Sequence, residues 1–321
     1  MLRDRFGRTF TTLRIAVTNR CDLGCLYCRP GRAAAAAPRK DLLTFEEIDR
    51  LARVFVSLGV RRFRLTGGEP LLRRGLPELV ARLAAIEGVG DLALTTNGLG
   101  LAAQAGVLRR AGLRRLNVSL DSPHPATFSA IVGAPVQRRV LDGLAAARAA
   151  GFAELRLNAV VLRGLNEGEL VELVGLAERF GATLRLIELM PVGMPRERWE
   201  RLFVPADEMI RRLAPLLAPG EERLPEGPGP ARYLRLAAGG EVGIITCVSA
   251  PFCAACDRLR LTARGALRLC LASPLEVDLR EPLRAGESDA ALARRIATAA
   301  LDKPPGAEYA EIRGGMCAVG G

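Results

Sequence analysis

The sequence of 321 residues has little histidine, lysine or aromatic content, and each shortage excludes a class of protein. His124 is the only histidine, and this argues against histidine-based catalytic triads and histidine-rich metal sites. Aromatic residues make up 4% of the chain, which leaves few rings to stack on single-stranded bases. Arginine interrupts every apolar run before it reaches the roughly 18 residues that span a bilayer. We therefore predict a cytoplasmic protein that binds neither nucleic acid nor a membrane.

Positive charge, by contrast, is abundant, and the formal net charge is +11. Only Lys40 and Lys303 are lysines, and this arginine bias is typical of a GC-rich genome. A basic chain fits nucleic acid, an acidic surface or a phosphorylated small molecule as its ligand. Because aromatic residues are scarce, we favour a small anionic ligand.

Strand-like runs alternate with amphipathic helical runs through the first two thirds of the sequence. Strands are predicted to begin near Leu13, Arg62, Asp91, Arg115, Leu155 and Thr183. Helices are predicted over residues 46–58, 77–86, 101–111, 138–150 and 167–180. Repeated units of this kind predict a parallel α/β sheet, either open and doubly wound or closed into a complete or partial barrel.

Four prolines lie among glycines between residues 218 and 231, a composition that predicts a linker or lid. We therefore predict two domains, residues 1–218 and residues 219–321. Within the second, the sequence indicates a hairpin turned at Arg264-Gly265, a helix near residues 288–300 and a glycine-rich tail.

The predicted strands alternate apolar and polar residues, so that one face of the sheet is polar. This face carries Arg14, Thr18, Arg62, Arg64, Thr66, Thr95, Asn97, Asn117, Ser119, Asp121, Arg156 and Asn158. Parallel barrels ordinarily fill their interior with Val, Ile and Leu, and an unpaired polar group there costs about 1 to 3 kcal/mol. The pattern indicates a bound, charged ligand. A sheet with one solvated face is the alternative.

Six of the eight cysteines form two sets of three, with the spacings C-x3-C-x2-C and C-x2-C-x13-C. The sets are Cys21, Cys25, Cys28 and Cys253, Cys256, Cys270, and the remaining cysteines are Cys247 and Cys317. Structural zinc needs four ligands, whereas a cubane iron–sulfur cluster on three thiolates leaves one iron open to a reacting molecule. We predict a cluster on each set. A zinc site that pools the six cysteines is the alternative, and the last two are interpreted as small apolar residues.

The run from Arg14 to Cys28, together with Thr66-Gly-Gly-Glu-Pro70, resembles the radical S-adenosylmethionine superfamily. Further motifs resemble the GTP 3′,8-cyclase family (molybdenum cofactor biosynthesis protein A), and the resemblance extends from about Leu2 to Gly321. These motifs are Thr95-Thr-Asn-Gly98, Asn117-Val-Ser-Leu-Asp121, Met190-Pro-Val-Gly193, Phe252 to Thr262 and the terminal Gly320-Gly321.

The resemblance implies a partial (β/α)6 barrel of the TIM type, with a C-terminal extension that carries the second iron–sulfur cluster. It implies a lyase that cyclises GTP to (8S)-3′,8-cyclo-7,8-dihydroguanosine 5′-triphosphate, the first step of molybdenum cofactor (molybdopterin) biosynthesis. Two [4Fe-4S] clusters, S-adenosylmethionine and an electron donor for the first cluster are implied. The downstream cyclic pyranopterin monophosphate synthase is an expected partner, and a homodimer is expected.

The same resemblance implies which residues form the site. Cys21, Cys25 and Cys28 would hold the first cluster, and Tyr27, Gly68, Ser119 and Met190 would contact S-adenosylmethionine. Cys253, Cys256 and Cys270 would hold the second cluster, at which the guanine base binds. The implied GTP contacts are Arg14, Arg64, Thr95, Arg156, Arg258, Leu259 and Arg260. The radical is expected to remove the hydrogen at ribose C3′, after which that carbon attacks C8, and no catalytic side chain is assigned beyond the clusters.

Particular expectations concern four residues and the terminal Gly320-Gly321. Gly67 and Gly68 are expected to give the S-adenosylmethionine ammonium room to approach the backbone. Arg156 stands where the family usually has lysine, and Asp257 replaces a common asparagine, where it would repel a nucleotide that it faced. The Gly-Gly tail is expected to reach the active site.

Two alternatives are retained. Another radical S-adenosylmethionine enzyme with an auxiliary cluster, such as a peptide-modifying maturase, would generally have more C-terminal cysteines and lack the pair Arg258 and Arg260. A non-catalytic metal-binding nucleic-acid module would need closed four-ligand sites and a basic stripe on its surface.

Overall fold

Eight parallel strands form the centre of a twelve-stranded sheet in the computed structural model, which describes residues 1–28, 37–223 and 230–307. The strands are β1 (Thr12–Ala16), β2 (Arg62–Thr66), β3 (Asp91–Thr96), β4 (Arg115–Ser119), β5 (Glu154–Val161), β6 (Ala182–Glu188), β7 (Leu217–Arg223), β8 (Ala231–Leu236), β9 (Glu241–Ile245), β10 (Arg258–Leu261), β11 (Ala266–Arg268) and β12 (Glu276–Asp278). Their order is β12-β11-β10-β1-β2-β3-β4-β5-β6-β9-β8-β7.

The parallel part runs from β10 through β1–β6 to β9, and antiparallel strands extend it at both edges. The described helices are α1 (Phe45–Ser57), α2 (Leu76–Ala84), α3 (Leu101–Arg110), α4 (Pro125–Val132), α5 (Gln137–Ala149), α6 (Leu170–Arg179), α7 (Arg196–Leu202), α8 (Ala206–Leu213), α9 (Arg280–Arg284) and α10 (Asp289–Leu301). The predicted α/β fold with parallel strands is therefore confirmed. None of these helices is both long and apolar enough to cross a membrane.

The predicted strands and helices correspond to β1–β6 and to α1, α2, α3, α5 and α6, within a few residues. The hairpin at Arg264-Gly265 joins β10 to β11, and the last predicted helix is α10. Helices α4, α7, α8 and α9 were not predicted.

Part of the predicted linker is instead strand β7, which pairs with β8 at one edge of the sheet. An edge strand tolerates Pro219 because one row of its backbone groups needs no partner strand, and the register shifts between Leu217 and Glu222. Residues 224–229 lie outside the described residues. The predicted boundary between residues 218 and 219 falls within β7, and the division into two domains stays a prediction.

The apolar residues of β1–β5 pack into the core beneath the helices, as their alternation predicts. Ile15 on β1 and Phe63 on β2 are completely buried, and burial of such a side chain contributes about 1.5 to 3 kcal/mol. Helix α1 begins at a capping box, in which Thr44 Oγ1 accepts from Glu47 N–H and Glu47 accepts from Thr44 N–H. This packing leaves the polar face of the strands to line the interior.

Candidate active site

The polar face of the sheet lines a cavity of about 520 Å³. Six of the seven predicted GTP contacts line this cavity: Arg14, Arg64, Thr95, Arg156, Arg258 and Arg260. Leu259 lies on the other face of β10, where its side chain is completely buried in the core. Its main chain is therefore what could face a ligand, and its role stays a prediction.

Strand register places several of these arginines side by side. Arg14 on β1 lies opposite Arg64 on β2 and opposite Arg260 on β10. Burial lowers the pKa of Arg14 well below its usual value, and the charges of Arg260 and Arg258 add to this. Burial and the charge of Arg258 likewise lower the pKa of Arg260 to about 10. The arrangement holds like charges together in a site from which water is partly excluded, and a bound anion would relieve their repulsion.

Cations outnumber carboxylates on this wall. Among the described residues, nine cationic side chains line the cavity: Arg14, Arg62, Arg64, Arg115, Arg156, Arg185, Arg258, Arg260 and Lys303. The carboxylates in the same lining are Asp121 and Asp257. Asp91, which is not part of the lining, forms ion pairs with Arg64 and Arg115, but a positive excess remains that suits a polyanion.

Asp257, which was expected to repel a nucleotide only if it faced one, is hydrogen-bonded to neighbouring side chains. Its Oδ2 accepts hydrogen bonds from the hydroxyls of Thr11 (2.6 Å) and Thr12 (2.7 Å). Arg62 Nη2 donates to the same oxygen at 2.9 Å. The negative charge of Asp257 is therefore balanced by Arg62, and this Arg62 donor is already used within the protein.

Sequence reasoning missed Arg115, Arg185 and Lys303 as cavity residues. Arg185 donates to Asn158 Oδ1 (2.9 Å) and Asn117 Oδ1 (2.7 Å), and burial lowers its pKa to about 9. The alternation rule would have found Arg115 and Arg185, because each is in phase with the polar residues of its strand. Lys303 follows α10 and has no such periodic signal.

The second cysteine set lies on the same wall. Cys253, Cys256 and Cys270 all line the larger cavity. The guanidinium of Arg258 lies 4.6 Å from the centroid of the Phe252 ring, and its Nη2 is 3.9 Å from Cys256 Sγ. Burial raises the pKa of Cys256, but the charges of Arg258 and Lys303 outweigh burial, and the net pKa is lowered. A lowered pKa favours the thiolate, which is the form that binds iron.

A second cavity, of about 210 Å³, contains the first cysteine set. It is lined by Cys21, Cys25 and Cys28 and by the predicted S-adenosylmethionine contacts Tyr27, Gly68, Ser119 and Met190. Seven residues line both cavities: Tyr27, Thr95, Ser119, Asp121, Val160, Ile187 and Met190. The two cavities are therefore neighbours with a common wall.

Two buried carboxyls fix parts of this smaller cavity. Glu69 accepts from Asn97 N–H (2.6 Å), Leu71 N–H (2.9 Å) and the Thr96 hydroxyl (2.7 Å). Burial raises the pKa of Glu69 to about 7, and it raises the pKa of Asp121 to about 6. Asp121 accepts from the Tyr27 hydroxyl at 2.8 Å, so the ring of Tyr27 is held at the common wall.

Gly67 and Gly68 have a steric role that the sequence did not predict, and their expected role beside the S-adenosylmethionine ammonium stays a prediction. A Cβ on Gly67, whose φ is +145°, would lie 2.2 Å from Thr18 O. A Cβ on Gly68 would lie 2.1 Å from Arg20 O. The two glycines therefore let the loop that leads to Cys21 pack directly on the backbone after β2.

Gly68→Ala is expected to displace this loop and to lower both iron binding at the first cysteine set and binding of S-adenosylmethionine at least tenfold. The physical reason is the backbone collision, which no side-chain rotation relieves. Gly24→Ala is the matched control, because a Cβ there meets nothing within 4 Å. Iron analysis and equilibrium dialysis with labelled S-adenosylmethionine give the measurement, and wild-type values for Gly68→Ala would refute this reason.

The donor sets fit iron–sulfur clusters. Each cavity wall presents three thiols, and the described cysteines are not joined in disulfides. Across residues 1–28, 37–223 and 230–307, no three His, Cys, Asp or Glu side chains group closely enough to hold a single metal ion. A cubane is larger than one ion, so its thiolates stand farther apart. Cys317 and the Gly320-Gly321 tail lie outside the described residues.

Comparison with known proteins defines the class first. Residues 15–177 match the profile of the Radical SAM superfamily, and residues 182–309 match Molybdenum Cofactor Synthesis C. The chain is thus a radical S-adenosylmethionine protein, a class that uses a [4Fe-4S] cluster with S-adenosylmethionine. The fold resembles Streptococcus suis SuiB, with a TM-score of 0.63 at 15% identity over 96% of this chain and 68% of that one.

Two relatives narrow the assignment. The GTP 3′,8-cyclase of Rhodopirellula baltica is 45% identical over 300 residues, which cover 92% of this chain and 84% of the relative. The GTP 3′,8-cyclase of Acidothermus cellulolyticus is 46% identical over 315 residues, which cover 94% and 84%. The chain belongs to the GTP 3′,8-cyclase family.

Proposed function

We propose that this enzyme binds S-adenosylmethionine in the smaller cavity and GTP in the larger one, and converts GTP to (8S)-3′,8-cyclo-7,8-dihydroguanosine 5′-triphosphate. The reaction is that of the family to which the chain belongs. The observation that supports it most strongly is the set of nine cationic side chains in the larger cavity, whose lining shares seven residues with the cavity of the first cysteine set. An anionic substrate in the larger cavity would therefore lie next to the source of the radical.

Cys21, Cys25 and Cys28 would hold the first cluster, and the remaining lining would bind S-adenosylmethionine. When bound, the reduced cluster and S-adenosylmethionine would together supply a carbon radical that takes the hydrogen from ribose C3′, and the cyclised radical would need one further electron, from a reductant, and a proton to become the dihydro product. The chain positions the reacting groups through Ser119 and Met190 on the common wall. The buried surroundings also exclude water, which protects a reactive intermediate.

We propose a second [4Fe-4S] cluster on Cys253, Cys256 and Cys270. Three thiols in one cavity leave one iron position for the guanine base. Arginine suits the triphosphate because its planar fork donates two hydrogen bonds to one phosphate. Arg14, Arg64, Arg156, Arg258 and Arg260 would supply these donors, and Arg156 would offer a fork where relatives offer the point charge of lysine.

The proposal also covers the location of the enzyme, its partners, its oligomeric state and its domains. We place it in the cytoplasm, with an electron donor for the first cluster and with cyclic pyranopterin monophosphate synthase as the acceptor of its product. We also propose a homodimer, and domains divided between residues 218 and 219.

Anaerobic reconstitution with iron and sulfide, followed by reductant, S-adenosylmethionine and GTP, tests this function. We expect about eight irons per chain and a product with the mass of GTP but a different chromatographic retention. With GTP deuterated at C3′, the deuterium should appear in 5′-deoxyadenosine. Guanosine should bind at least about 100-fold more weakly than GTP, because the cationic wall would have no phosphate to contact. Formation of 5′-deoxyadenosine without deuterium, or without a GTP-derived product, would show that the substrate is wrong.

A further inference from the structure

Two buried cations bond to main-chain carbonyls around the second cysteine set. Arg8 donates from Nη1 to Cys253 O (3.0 Å) and from Nη2 to Pro304 O (2.7 Å). It also reaches Lys303 O (3.1 Å) and Pro305 O (3.3 Å). Lys303 Nζ in turn donates to Arg258 O (2.9 Å) and to Leu269 O. Both residues therefore tie separate stretches of chain to one another.

Asp4 orients Arg8 and balances its charge. Arg8 Nε donates to Asp4 Oδ2 at 2.5 Å, and the N–H groups of Phe6 (2.9 Å) and Arg8 (3.0 Å) donate to Asp4 Oδ1. The side chains of Arg8 and Asp4 are 6% and 0% exposed. The donors of Arg8 are thus used within the protein, and Arg8 does not line the larger cavity. We call Asp4, Arg8 and Lys303 the carbonyl clasp.

Hydrogen bonds from the carbonyl clasp reach a main-chain carbonyl at or near each cysteine of the second set. Arg8 bonds to the carbonyl of Cys253 itself. Lys303 bonds to the carbonyl of Leu269, the neighbour of Cys270, and to that of Arg258, two residues after Cys256. One arginine can contact four carbonyls because guanidinium has five N–H donors in a fixed plane, and hydrogen bonds from charged donors are the stronger kind.

We propose that Arg8 and Lys303 are positioning residues that hold the two segments of the second cysteine set, residues 253–258 and 269–270, against residues 303–305, so that the thiols face the larger cavity. The inference rests on the proposed role of this cysteine set as a cluster site. The carbonyl clasp would act before the cluster forms, because Arg8 and Lys303 donate to main-chain carbonyls and these hydrogen bonds need no metal. It would thereby preorganise the donor set.

The test compares full-length Arg8→Gln and Lys303→Met with wild type and with Arg5→Gln. Arg5 is the matched control: it lies on the same N-terminal segment and contacts Leu301 O (2.8 Å) and Asp302 (2.5 Å), but its side chain is 60% exposed. Hydrogen exchange is measured at residues 253–256 and 270–273, and the rate of iron loss to a chelator is measured on the reconstituted enzyme.

We expect exchange in both segments to become at least about tenfold faster in Arg8→Gln and Lys303→Met. About half of the iron should be lost at least about tenfold faster, while the other half is retained as in wild type. Arg5→Gln should match wild type in both measurements. Arg8→Lys, which keeps the charge but has fewer donors, should fall between wild type and Arg8→Gln, and it covers the case in which the glutamine variant does not fold.

Two failures can be told apart. Wild-type enzyme with only about four irons would refute the second cluster, while the exchange data would still decide whether the clasp orders its segments. Unchanged exchange in the variants, or equal acceleration for both halves of the iron, would overturn the clasp and leave the proposed function intact.

Discussion

Cys25→Ser is expected to remove about half of the bound iron and to reduce 5′-deoxyadenosine formation to background. Three thiols are the minimum that holds a cubane with one open iron, so loss of one thiol removes the first cluster. Burial raises the pKa of the Cys25 thiol, with further increases from the charges of Asp121 and Cys21. Its thiolate is therefore stabilised chiefly by metal, and a serine hydroxyl, which is harder to ionise, is no substitute.

Cys256→Ser provides the matched comparison. It should lose the other half of the iron and all GTP-derived product, yet continue to cleave S-adenosylmethionine, because its thiol lines the larger cavity and not the smaller one. Iron and sulfide analysis with chromatography of 5′-deoxyadenosine gives the readout. Identical behaviour of the two variants would contradict two separate cluster sites.

The double variant Arg258→Gln/Arg260→Gln is expected to weaken GTP binding at least about 100-fold. Each charged hydrogen bond to phosphate is worth about 1.5 to 3 kcal/mol, and two of them together correspond to this factor or more. Both side chains line the larger cavity, and both lie on β10, which begins two residues after Cys256. Cleavage of S-adenosylmethionine should remain measurable.

Arg264→Gln is the control for the double variant, since Arg264 lies exposed in the turn between β10 and β11. Titration calorimetry with GTP and with guanosine separates the phosphate contribution from that of the base. A loss of guanosine binding equal to that of GTP, or loss of S-adenosylmethionine cleavage, would indicate a structural role for the two arginines instead.

Period-two alternation is the reason that much of the site could be predicted. The pleat of a strand places every second side chain on one face, so Arg14, Arg64 and Arg156 could be assigned to the interior from sequence. Arg185 was equally accessible to this reasoning, because Leu184 and Leu186 flank it on β6. The apolar phase of the same strands predicted the core.

Contacts between distant segments could not be predicted in this way. Neither Arg8 nor Lys303 belongs to a periodic pattern, and their bonds to carbonyls depend on how the chain closes on itself. Gly68 was recognised from its motif, but the steric reason required knowledge of where Arg20 O lies. The compensation of Asp257 by Arg62 likewise depends on the tertiary arrangement.

The pairing of β10 with β1 also affects when the substrate site exists during synthesis of the protein. Thr11 and Asp257, which are hydrogen-bonded across this junction, are 246 residues apart in the chain. A nascent chain that has not yet released β10 from the ribosome has neither Arg258 nor Arg260 beside Arg14. Nucleotide binding at the proposed site would therefore require that β10 has been synthesised and has paired with β1, and a nascent chain without β10 holds its interior arginines without Asp257.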